Sequence, residues 1–125
     1  MNTVNTHEAP AAVGPYSQAI EANGLLFCSG QIALDPETGT MVGDDVATQT
    51  GQVLKNLFAV LAADGLGPQN VAKTTVFLQD MGQFTAMNQV YANAFGEHRP
   101  ARAAVEVAAL PKGALVEIEC IAARE

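Results

Sequence analysis

One run constrains the fold more than any other. Between Asp44 and Gly65, the residues Val46, Thr50, Val53, Leu54, Leu57, Val60 and Leu61 recur at helical spacing, with Gln49, Gln52, Lys55 and Asn56 between them. A period near 3.6 residues gives a helix with a single apolar stripe, and such a stripe needs a surface to cover. Asp44 and Asp45 suit the positive end of that helix, and Gly65 marks its end.

Strands supply the surface. Val71 to Leu78 (VAKTTVFL) is rich in β-branched residues and reads as a strand. Strand-like material also lies at Gln18–Ile20 and Leu25–Cys28, and Asp35–Gly39 (DPETG) follows as a tight turn. A second helix carries Phe84, Met87, Asn88, Tyr91 and Phe95 on one stripe and stops at Gly96. Arg102 to Val107 alternates as a strand, Pro111–Gly113 turns the chain, and Leu115 to Ala122 is the last strand. There is no internal repeat and no linker, so residues 1–125 read as one domain. Strands, helix, strand, helix, strands predicts an α+β fold, a mixed sheet with both helices on one face. The other face is too apolar to stand in water alone, which predicts a homo-oligomer.

Composition narrows the partners. Apolar residues make up 49% of the chain but aromatics only 6%, with no Trp, so Val, Leu, Ile and Ala must build the core. Thirteen acidic against six basic residues leave a net charge of −7, and the basic ones do not cluster, which argues against nucleic acid. No basic run precedes an apolar stretch at the N-terminus, and no segment has the length of a bilayer span. A cytoplasmic protein without membrane contact is expected. Cys28 and Cys120 both fall in strand-like runs and read as buried thiols; no His lies at metal-ligand spacing from them, so no metal is expected.

A few residues sit oddly in these patterns. Asn88 lies on the apolar stripe of the second helix, as either a satisfied interior amide or a pocket or interface residue. Arg102 opens an apolar strand; its planar fork fits a carboxylate, though a surface ion pair would use it equally well. Arg99 and Arg124 read as plain surface residues, and His7 and His98 as surface or terminal histidines. Glu117 and Glu119 share one strand face, pointing either to solvent or to a pocket edge where a carboxylate activates water. Gly14–Ser17 is a turn with an anchoring aromatic. At Ser29-Gly30 a glycine past a strand lets a ligand approach backbone N–H groups. Ser29 has no accompanying His and Asp pattern, so a hydrolase triad has no support.

Together these stretches resemble the YjgF/RidA family. The resemblance runs through APAAVGPYSQA (Ala9–Ala19), SGQI (Ser29–Ile32), KTTVFLQDM (Lys73–Met81), FxxMNxxY (Phe84–Tyr91) and PARAAVEVAALPKGALVEIE (Pro100–Glu119), nearly the whole chain in order. It implies the chorismate-mutase-like fold, closed as a homotrimer through the open sheet face, with clefts between subunits that bind a small carboxylate. The activity it implies is hydrolysis of reactive 2-imino acids or enamines to 2-oxo acids and ammonia, without metal, flavin or other cofactor. By position, Arg102 would clamp the substrate carboxylate and Glu117 would orient water and shuttle protons. Tyr16, Ser29, Gly30 and Asn88 would shape the pocket, with the backbone at Ala104 facing the ligand. Many members carry a cysteine where this chain has Ala104, so a thiol mechanism there is excluded. The alternatives are a pathway-specific, aminoacrylate-type enamine hydrolase, or a non-catalytic binder of 2-oxo acids. Similar proteins have also been described as ribonucleases or chaperones, and the acidic charge makes the ribonuclease reading the least attractive.

Overall fold

The computed structural model describes residues 1–125. The elements run β1 (Asn2–Val4), β2 (Ala19–Ala22), β3 (Leu25–Gln31), α1 (Val46–Ala63), β4 (Val71–Leu78), α2 (Phe84–Phe95), β5 (Ala101–Glu106) and β6 (Val116–Ala123). They form one six-stranded sheet in the order β1-β2-β3-β6-β4-β5. Only β4 and β5 are parallel, and α2 provides the crossover that a parallel pair requires. The mixed α+β fold read from the sequence is therefore the one observed.

Both helices lie on the same face. Helix α1 packs over β3 and β6 and against α2. Leu26 and Cys28, Val76 and Leu78, and Val116, Ile118 and Ala122 meet Val53, Leu54, Leu57 and Leu61 of α1 and Met87 of α2 in one core. Each large aliphatic side chain withdrawn from water here contributes roughly 1.5–3 kcal/mol. The Asp45 carboxylate caps α1 by accepting the Thr48 N–H at 3.0 Å, which also holds its pKa below the usual carboxylate range. Gly65, at φ 74°, takes the left-handed turn that ends this helix.

The helical stripe of α1 is wider than its apolar residues suggest. Gln49 and Asn56 are buried as well. The Asn56 amide donates to the carbonyls of Ile32 and Leu34, and Gln49 donates to Gly43 while accepting the Leu115 N–H. These side chains secure the irregular stretch after β3, whose Leu34 and Gly43 carbonyls accept no backbone N–H. Two strands also differ from the sequence reading. The polar N-terminus contributes β1, paired with β2. Strand β5 shows no buried–exposed alternation, because it is an edge strand with a neighbour on one side only.

The opposite face carries Leu25 and Phe27 of β3, Phe77 of β4, Val105 of β5 and Ile121 of β6, with Glu117 and Glu119 among them. Phe27 is 43% and Val105 41% exposed. No helix or loop of the chain covers this apolar surface.

Candidate functional site

Arg102 stands opposite Thr74 in the sheet, and partners opposite one another project from the same face. It therefore rises on the helix side, beside α2. Its guanidinium lies 4.8 Å from the Tyr91 ring centroid and 5.4 Å from that of Phe84. One guanidinium nitrogen donates to Asn88 Oδ1 at 2.7 Å. Tyr91 is fixed in turn by a buried 2.7 Å hydrogen bond with Thr74, and burial raises its pKa despite that bond and the nearby Arg102. Asn88, Tyr91 and Phe84 thus form a cradle of ring faces and one amide that holds the guanidinium in a single pose. The FxxMNxxY spacing explains it: positions three and four apart on α2 stack on one side. Arg102 has no carboxylate partner, the only ion pair of the chain being Arg124–Asp64.

Glu117 lies on the other side of the sheet, opposite Phe77. It is half-buried, and its pKa is raised, first by that burial and then by the neighbouring charge of Glu119. The carboxylate sits against Gly30. A Cβ at that position would overlap the carboxylate oxygen and fall 3.0 Å from Glu117 Cδ, so only glycine leaves room for it. Gly30 belongs to an irregularity between Cys28 and Gln31, where the register against β6 shifts by one residue.

A groove of about 670 Å³ opens over this carboxylate, bordered by Val13, Tyr16, Ser29, Gly30, Lys112 and Glu117 among others. Ser29 donates from Oγ to the Ser17 carbonyl at 2.6 Å, and its N–H donates to the Gln18 carbonyl. Gln18 is buried; its amide donates to Thr6, Ala9 and Pro10 carbonyls and accepts the Thr6 N–H. The segment that leads to Tyr16 is thereby tied down at its base. Tyr16 itself stays 55% exposed, a large ring with no partner in its own chain.

The residues singled out in the sequence fall into two groups. Tyr16, Ser29, Gly30 and Glu117 border one groove. Arg102 and Asn88 border a separate pocket of about 410 Å³, with Tyr91, Ala92, Arg99 and Pro100. Ala104 stands opposite Val76 on the helix side with Arg102, packed against the core. Within one chain, Arg102 and Glu117 do not meet. Sequence reasoning missed Gln18 and Tyr91 as supports, because a buried glutamine in a strand and an aromatic on a helix stripe look like ordinary framework. Arg99, a plain surface residue by sequence, borders the same pocket as Arg102. His98 is half-buried rather than superficial, its Nε2 lying 2.7 Å from the Val71 carbonyl.

The family model described as Endoribonuclease L-PSP matches residues 6–124. The chain belongs to this family, the YjgF/RidA family of the sequence resemblance. A RutC family protein of Synechocystis is 57% identical over 124 residues, covering 98% of this chain and 95% of that one. The mouse 2-iminobutanoate/2-iminopropanoate deaminase is 49% identical over 119 residues, covering 95% of this chain and 88% of its own. The crystal structure of TdcF from E. coli with bound serine superposes with a TM-score of 0.96 at 40% identity, covering all of both chains. No helix of the RidA-family chain described here is long and apolar enough to cross a membrane.

Proposed function

We propose that this protein hydrolyses 2-imino acids, and the enamines in equilibrium with them, to 2-oxo acids and ammonia. The observation that carries the reading is the Arg102 guanidinium, unpaired yet held in one pose by Asn88, Tyr91 and Phe84. An oriented fork with free donors and no acidic neighbour is a receptor for a carboxylate. The mouse relative, named for its action on two such imino acids, supports the same assignment.

The cleft is completed by a second copy of the chain. The apolar open face, with Phe27 and Val105 exposed, supports association as a homotrimer. Arg102 and Asn88 of one subunit then face Tyr16, Ser29, Gly30 and Glu117 of its neighbour. A substrate whose carboxylate rests on Arg102 presents its iminium carbon to a water held by Glu117. As that water's oxygen bonds to carbon, Glu117 takes its proton. The carboxyl then returns the proton to nitrogen, and the carbinolamine collapses to the 2-oxo acid and ammonium. Burial raises the Glu117 pKa, which makes the carboxylate a better proton acceptor than an exposed glutamate. The iminium is already electrophilic, so positioning supplies most of what the reaction needs. A reducing compartment such as the cytoplasm suits the two free thiols, Cys28 and Cys120.

The test is a coupled assay in which an amino-acid oxidase or dehydratase generates 2-iminopropanoate or 2-iminobutanoate and release of the 2-oxo acid is followed. Wild type accelerates release and a folded Arg102→Ala variant does not. Equal acceleration by both removes Arg102 from the site. No acceleration by either, with a 2-oxo acid still bound, leaves a binding role in place of catalysis.

A further inference from the structure

Two arginines, not one, border the pocket on the helix side. Arg99 and Arg102 border the same space of about 410 Å³, with Asn88, Tyr91, Ala92 and Pro100 completing the wall. Neither has a carboxylate within ion-pair distance, although acids outnumber bases thirteen to six in this chain. Both charges act on the Tyr91 hydroxyl, Arg102 more strongly than Arg99. Arg99 is oriented as well: its NH1 donates to the carbonyls of Gly96 and His98 at the end of α2. That leaves Nε and NH2 of Arg99 free, just as Arg102 keeps donors beyond the one given to Asn88. Two oriented, unneutralised guanidiniums in one small pocket form a receptor for a ligand with two acidic groups.

Resting on the reading of Arg102 as the carboxylate clamp, we infer that the site prefers dicarboxylic 2-imino acids, with Arg99 binding the carboxylate of the substrate's side chain. Such imines arise from enzymes that oxidise or deaminate acidic amino acids, which is the class of reaction that would supply the substrate. Arg99 is then a specificity residue. Its carbonyl bonds fix the fork at the pocket wall. A monocarboxylate held by Arg102 has no second acidic group for that fork, so the larger gain falls on dianions.

The experiment uses stable 2-oxo acids as probes of the intact protein: oxaloacetate and 2-oxoglutarate against pyruvate and 2-oxobutanoate, measured by calorimetry in wild type, Arg99→Gln and Arg99→Lys. The expected result is binding of the dicarboxylates about tenfold tighter than the monocarboxylates, a margin that shrinks as salt is raised. Arg99→Gln removes that margin, weakening the dicarboxylates far more than the monocarboxylates, and Arg99→Lys, which keeps the charge but not the fork, restores part of it. A role for Arg99 confined to closing the end of α2 predicts instead a lower melting temperature and equal losses for both classes, which overturns the inference. Monocarboxylate binding without any preference for dicarboxylates overturns it too and leaves the Arg102 reading standing. Binding of neither class overturns both.

Discussion

Substituting Gly30 by alanine separates the placement of the Glu117 carboxylate from everything else in the fold. The backbone at Gly30 is not in the left-handed region, so alanine meets no conformational strain there. Its Cβ would fall 3.0 Å from Glu117 Cδ and 3.2 Å from Cγ, tighter than most such contacts, and would overlap the carboxylate oxygen. The obstruction is the flexible end of a side chain, so Glu117 swings away and the sheet stays as it is. The lost flexibility of the unfolded chain offsets the crowding, and stability changes by less than about 1 kcal/mol. The chemistry is not spared. A general base moved out of reach removes a contribution of about 100-fold or more in kcat. Displaced toward water, the carboxyl also loses the burial that raises its pKa and no longer governs the step, so the acid limb that Glu117 sets in wild type is lost from the pH–rate profile. Steady-state kinetics from pH 4 to 9 with a generated imine, beside a thermal melt, reads both effects. A variant within about threefold of wild type in kcat/KM, with an unmoved acid limb, would show that Gly30 does not position Glu117.

Two further substitutions probe the two halves separately. Asn88→Ala removes the amide that orients Arg102, raising KM about fivefold with kcat nearly retained, because the clamp acts on substrate and transition state alike; a fall in kcat at constant KM would contradict that role. Glu119→Gln removes the like charge beside Glu117, so the acid limb of the pH–rate profile shifts downward with turnover retained, and loss of turnover instead would make Glu119 the base.

Much of this was legible in the residues. The stripe from Val46 to Leu61 and the β-branched run from Val71 to Leu78 specify their elements through strong periodicity and propensity, and both form where expected. The weak signals misled for identifiable reasons. Strand β1 is polar because it is a short edge, and β5 lacks alternation because it is the other edge. Gln49 and Asn56 look like solvent residues, yet each is buried, Asn56 to serve the distant carbonyls of Ile32 and Leu34 and Gln49 to tie the Gly43 carbonyl to the Leu115 N–H. Periodicity reports which face a residue occupies, not what waits on that face. The same limit applies to the site. Arg102 and Glu117 were recognisable one by one, but their separation by the thickness of the sheet emerges only from register, through Thr74 on one side and Phe77 on the other. The charge partnership of Arg99 with Arg102 is likewise a product of the turn after α2, where the pattern of residues offers no period to read.

In a shared cleft one subunit supplies Arg102 and its neighbour supplies Glu117, so mixing two inactive variants restores activity. Arg102→Ala and Glu117→Gln are each folded and assayed alone, then unfolded together in equal amounts, refolded and assayed for imine hydrolysis. A cleft shared between subunits regains about one quarter of wild-type activity, the fraction of clefts that draw an intact Arg102 from one variant and an intact Glu117 from the other. Activity no greater than that of the separate variants, in a mixture shown to contain mixed oligomers, would contradict the shared cleft.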